Sequence, residues 1–123
     1  MKKMAYLLLA GIVCLSVAGC SGEKEKPAAV VVDPNAKVLK LVAKNYAFDQ
    51  EEYKVKKGEP ITLQLDIQDG VHGISIEGFD AELDYKTTAA TITPDTAGTY
   101  AIRCSIPCGT GHGSMTAKLV VEE

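Results

Sequence analysis

The sequence predicts an all-β protein, an antiparallel β-sandwich. Three observations carry that prediction. Apolar residues recur at every second position in several short runs, the spacing that turns one face of a strand toward a core. Turn residues separate these runs at intervals of about 8–12 residues, the rhythm of a sandwich. Beyond residue 19, no stretch of ten or more residues carries a convincing amphipathic helical pattern.

The strands follow in order from Lys37. Val38 to Ala43 alternates imperfectly, and Tyr53 to Lys56 alternates apolar with charged residues. Lys57-Gly58-Glu59-Pro60 predicts a turn, because glycine accepts tight backbone angles and proline offers no ladder donor. Ile61 to Ile67 is a period-two strand with one apolar face. Asp69-Gly70 turns the chain before His72, and Ile74 to Ile76 continues as a short strand. Gly78 to Tyr85 reads as irregular, whereas Thr87 to Thr93 is rich in the β-branched residues that favour strands. Pro94 to Gly98 is a turn leading into Thr99 to Arg103, and Lys118 to Glu122 closes the domain. Tyr46, Phe48, Tyr53 and Tyr100 are expected as core or sheet-face aromatics.

The first residues set the compartment. Met1-Lys2-Lys3-Met4 is basic, and Ala5 to Val17 is an apolar run too short for a stable membrane span. It ends in Val17-Ala18-Gly19-Cys20, which resembles the lipobox of bacterial lipoproteins. The resemblance implies a signal peptide over residues 1–19, cleavage before Cys20, and a diacylglyceryl group on the Cys20 sulfur. Cys14 is then discarded with the signal. An acylated Cys20 would anchor the protein to the outer face of a bacterial membrane, since each buried methylene adds about 0.8 kcal/mol. A plain secretory signal or an uncleaved anchor helix are the alternatives. Residues 20–36 read as a lipidated tether: Glu23-Lys24-Glu25-Lys26, Pro27 and Pro34-Asn35 discourage a packed core. Val30-Val31-Val32 is the one part of it able to begin an edge strand. Residues 37–123 form a single domain of ordinary size.

Loss of Lys2 and Lys3 with the signal leaves 11 basic against 16 acidic residues, a net charge of −5. That balance argues against nucleic-acid binding and allows weak steering toward a basic partner. No acid–base pair or triad stands in a catalytic arrangement, so the chain is not expected to be an enzyme by itself.

The chemistry concentrates in Cys104-Ser-Ile-Pro-Cys108-Gly-Thr-Gly-His112-Gly-Ser-Met115, with a second imidazole upstream at His72. Beyond Cys20, the chain has no Cys, His or Met outside these five positions. Thiolate, thioether and imidazole together select copper, Cu(I) above all, over hard cations. The segment joins the last two strands, and its glycines let the backbone approach a metal. Each residue also has an ordinary explanation. In an exported protein Cys104 and Cys108 could form a disulfide. His72 could be a turn histidine and Met115 core filling. One Cys, two His and a Met would also suffice for a mononuclear blue-copper site, leaving the second Cys without a role.

The spacing Cys-x3-Cys-x3-His-x2-Met with an upstream Val-His resembles the CuA domain of the cytochrome c oxidase subunit II family. The similarity runs from about Leu39 to Val121 and includes Tyr46-x-Phe48 and Val55-x-Lys-Gly58. It implies a Greek-key cupredoxin fold and a binuclear centre of two copper ions. In that centre the Cys104 and Cys108 thiolates bridge the coppers, and His72 and His112 bind one each. Met115 is a weak axial ligand, with the Ile106 backbone carbonyl opposite. The implied function is electron transfer, with a cytochrome c or a membrane oxidase or reductase as redox partner. Oxidase subunit II commonly has Glu where this chain has Ile106, and this chain lacks Trp. The aromatic patch that receives electrons in that family is thus absent in its usual form. A copper carrier or assembly factor is the competing function. The Sco family of copper-delivery proteins also combines Cys-x3-Cys with a distant His, but resembles thioredoxin, with helices this chain does not predict.

Overall fold

The computed structural model describes residues 32–123. The expected signal peptide and Cys20 lie outside the described residues. Among the described residues, nine strands run in the order β1 (Lys37–Lys44), β2 (Ala47–Phe48), β3 (Glu52–Lys56), β4 (Ile61–Ile67), β5 (Ile74–Ile76), β6 (Glu82–Leu83), β7 (Ala89–Ile92), β8 (Gly98–Cys104) and β9 (Thr116–Glu122). A single turn of 3₁₀ helix, His112–Ser114, lies between β8 and β9. No helix among the described residues is long and apolar enough to cross a membrane.

The strands form two sheets, ordered β2-β1-β4-β7 and β3-β9-β8-β5-β6. The sandwich read from the sequence is present, and its pairing is mixed. β1 runs parallel to β4, and β3 parallel to β9, while β4–β7, β5–β8 and β8–β9 are antiparallel. The connectivity explains this. After β1 and β2 the chain crosses to the second sheet for β3 and returns for β4, so β1 and β4 lie side by side pointing the same way.

Alternation dictates which faces meet. Tyr53 and Val55 of β3 are buried while the charged residues beside them are exposed, as period two requires. Leu41, Leu63, Ile74, Leu83, Ile102 and Leu119 are fully buried between the sheets. Phe79 and Tyr100 pack edge to face with centroids 4.9 Å apart, an arrangement favoured by the ring quadrupoles. β3, an edge strand, carries Lys54 and Lys56, and edge lysines discourage pairing with another chain.

Two local features frame the ends. Asp33 donates its N–H to Thr91 Oγ1 at 2.9 Å and accepts at its carbonyl from the Thr62 hydroxyl, so residues just before β1 are bonded across β4 and β7. Asp49 ties the β1–β2 hairpin to β3. Its carboxylate accepts from the Val42 N–H at 3.1 Å and from the Tyr53 hydroxyl at 2.5 Å.

Candidate metal centre

Four chain segments converge at one end of the sandwich. They are the β1–β2 turn, the loop from β4 to β5, the loop leaving β8, and the start of β9. Cys104 is the last residue of β8 and pairs with Ile74 of β5, which brings the His72 loop alongside. The Ser105 N–H then donates to the Gly73 carbonyl at 3.1 Å, and the Cys104 N–H to the Met115 carbonyl at 3.2 Å. These main-chain bonds set the segments bearing His72, Cys104 and Met115 side by side.

His72 is fully buried. Its Nε2 lies 2.8 Å from the Asp69 carbonyl oxygen. A carbonyl only accepts, so in the neutral ring Nε2 carries the proton and Nδ1 presents a lone pair. That Nδ1 faces the Cys104 sulfur at 3.8 Å. A backbone partner that fixes tautomer and ring orientation is the usual support of a metal-binding imidazole.

Both cysteines are free thiols. Their sulfurs are 3.6 Å apart, and Cys104 Sγ lies 3.2 Å from the Ile106 carbonyl oxygen. One donor atom each from His72, Cys104 and Cys108 falls within 4.8 Å of the other two. A sulfur separation of 3.6 Å is the distance two thiolates take around one metal with bonds of about 2.3 Å. Burial, then the neighbouring Cys104, pushes the Cys108 thiol above its ordinary range.

His112 opens the 3₁₀ turn, and its Nδ1 is 3.7 Å from Cys108 Sγ. It adjoins the three-residue cluster from the Cys108 side rather than standing within it. Met115 is buried, with 1% of its surface exposed, in the residue before β9. Every candidate ligand in the described residues thus comes to the same end of the sandwich. The donor set is sulfur and imidazole with one backbone carbonyl and no carboxylate, which fits copper and does not fit Mg²⁺ or Ca²⁺.

Three contributors escape sequence reasoning. Asp69 orients His72 through its main chain, which its identity does not encode. The Ser105 hydroxyl is buried without a hydrogen-bond partner among the described residues, close to Gly73. Tyr46, grouped with the core aromatics by composition, is 37% exposed and lies against Gly109 and Gly111 of the ligand loop. Their glycine spacing was the available signal of a close approach, but not of what approaches.

No protein-family model matches the chain. Cytochrome c oxidase subunit 2 of Thermus thermophilus is 28% identical over 102 residues, spanning 79% of this chain and 76% of that protein. A heme-copper terminal oxidase dimer solved by cryo-electron microscopy contains a chain that superposes with a TM-score of 0.61 at 26% identity, covering 76% of this chain and 69% of that one. The periplasmic domain of cytochrome oxidase subunit II (CoxB) of Bradyrhizobium japonicum superposes with a TM-score of 0.67 at 18% identity, covering 75% of this chain and 88% of that domain. The fold is therefore a cupredoxin sandwich. Within that class the chain resembles the copper-binding domain of cytochrome c oxidase subunit II.

Proposed function

We propose that this protein is an exported electron carrier whose copper centre is binuclear and held by His72, Cys104, Cys108, His112, Met115 and the Ile106 carbonyl. The observation that carries this is the convergence of two free thiols, the aimed Nδ1 of His72 and a backbone carbonyl at one partly buried point. The likeness to oxidase subunit 2 supports the same assignment. Cys104 and Cys108 would bridge the two ions, His72 and His112 would take one each, and Met115 and Ile106 would be weak axial donors. Copper supplies a one-electron couple, and sharing it across a thiolate-bridged pair spreads the charge change over many bonds.

The chain's own contribution is rigidity and exclusion of water. Asp69 holds the His72 ring, strand pairing holds Cys104, and burial of Met115 and His72 keeps solvent from that side. Groups that do not move on oxidation and reduction keep the barrier to electron transfer low. Such a centre needs no substrate pocket, so the domain serves as a carrier or as an accessory electron-transfer module rather than as a catalyst. Its redox partner would be a cytochrome c or a membrane oxidase or reductase. Cys20, if acylated, would hold it at the outer face of a bacterial membrane.

The test is electron paramagnetic resonance of the copper-loaded protein with copper counted per chain. Two ions and a seven-line hyperfine pattern are expected, and Cys104→Ser or Cys108→Ser should abolish the pattern. Four lines from one ion would replace the binuclear centre with a mononuclear one. A copper carrier is the second function to test, because Cys108 and His112 are only half-buried and open to an exchanging partner. Rapid copper transfer to an acceptor protein would favour it.

A further inference from the structure

The turn between β1 and β2 touches both loops that carry the candidate ligands. On one side stands Asn45. A Cβ built on Gly70 would lie 2.9 Å from Asn45 Cγ and 2.9 Å from His72 Nε2, and its φ is +83°. On the other side stands Tyr46. A Cβ on Gly109 would lie 2.9 Å from Tyr46 Cε1 and 3.0 Å from Cζ, and one on Gly111 would overlap Tyr46 Cβ and Cγ. Gly111 has φ −91°, which any L residue adopts. Glycine at 111 therefore answers to space alone, and Tyr46 fills that space.

The turn is itself held firmly. Ala43 pairs with Phe48 and Lys44 with Ala47, and Asp49 bonds both Val42 and Tyr53. Tyr53 and Tyr100 use their hydroxyls in hydrogen bonds, whereas the Tyr46 hydroxyl makes none among the described residues. The ligand loop meets the ring at Gly111 and the outer ring with its hydroxyl oxygen at Gly109, so the contact is one of packing and not of hydrogen bonding.

We infer that Asn45 and Tyr46 are positioning residues. Together they form a brace that seats the His72 loop and the Cys108–His112 loop at a fixed spacing and so preorganises the ligand set. Their relevance to copper rests on the proposed function; the brace itself does not.

The experiment therefore has a metal-free arm and a copper arm. In the reduced, metal-free full-length protein, the rate of Cys108 alkylation by iodoacetamide is read by peptide mass spectrometry. Tyr46→Ala should raise that rate several-fold, and Tyr46→Phe should leave it unchanged. Gly111→Ala should raise it too, by pushing the loop off the ring, and the Gly111→Ala/Tyr46→Ala pair should be strongly non-additive, as for residues in contact. In the copper-loaded protein, Tyr46→Ala and Asn45→Ala should release copper to a Cu(I) chelator about 10-fold faster, the usual scale for losing support behind a ligand. Wild-type rates in Tyr46→Ala, a Tyr46→Phe variant that behaves like Tyr46→Ala, or simple additivity of the pair would each overturn the brace. A wild-type protein that takes up no copper would sink the functional proposal alone, because the alkylation rates would still decide the brace.

Discussion

The sulfurs of Cys104 and Cys108 stand 3.6 Å apart without a bond between them. A disulfide requires about 2.05 Å, so side-chain rotation must close the remaining gap. The same pair can serve a metal or be lost to oxidation, and the two outcomes exclude each other.

Mild oxidation of the metal-free protein with diamide should therefore join Cys104 to Cys108 within one chain and abolish copper uptake. Dithiothreitol should restore it. Peptide mapping checks the link, and copper loaded beforehand should protect both thiols. Persistently free thiols under diamide would show that the loop cannot close the gap.

Met115 is buried at the start of β9. Met115→Leu conserves volume and should cost less than about 1.5 kcal/mol of stability. If the proposed binuclear centre is present, both coppers should remain while the reduction potential shifts, as measured by spectroelectrochemical titration. Loss of all copper would mean that the thioether is more than a weak axial donor.

The bond from the Tyr53 hydroxyl to Asp49 gives a pH-dependent prediction. Burial alone would raise the Asp49 carboxyl, but the hydrogen bonds from Tyr53 and from the Val42 N–H outweigh it and hold the group below the usual carboxylate range. Tyr53 is pushed up, by burial first and by Asp49 second. A lowered native carboxyl value means that its stabilisation is full above the unfolded value near pH 4. That stabilisation is lost as pH falls through the native value. On the Tyr53 side it persists until pH rises past the ordinary tyrosine value near 10. Tyr53→Phe should cost about 0.5–1 kcal/mol at pH 7, toward the low end because Asp49 is exposed. The difference should shrink at pH 3, as urea midpoints at the two pH values would show.

Burial sets the scale of packing effects. Leu41 is fully buried and should lose about 2–5 kcal/mol on substitution by alanine. Val38, three residues earlier on the outer face and 57% exposed, should lose no more than about 0.5 kcal/mol. Guanidinium unfolding of the two variants with unchanged slope is the check.

Much of the fold is legible in the sequence. Ile61–Ile67 falls where its strict alternation predicts a strand, and the runs at 53–56, 74–76 and 118–122 grow by at most a few residues. What alternation cannot give is the partner of each strand. The parallel pairs β1–β4 and β3–β9 arise from crossings between sheets, a non-local matter that no local pattern records. β6 at Glu82–Leu83 lies in a stretch whose sequence reads as irregular, because two residues are too few to show a period. The candidate ligand types stand out because sulfur and imidazole are scarce beyond Cys20. Tyr46 does not, because an aromatic on a hairpin turn looks the same whether it faces a core or a neighbouring loop.

The register of β1 on β4 sets Lys37 beside Ile61 and Ala43 beside Ile67, so the chain enters at one pole of the sandwich and the thiols sit at the other. Eight strand residues at roughly 3.3 Å each separate the two poles by about 25 Å. A molecule held at its entry pole would present the Cys104–Cys108 end outward, so the surface by which it is held and the surface it offers a partner would lie on opposite poles and could be altered independently of each other.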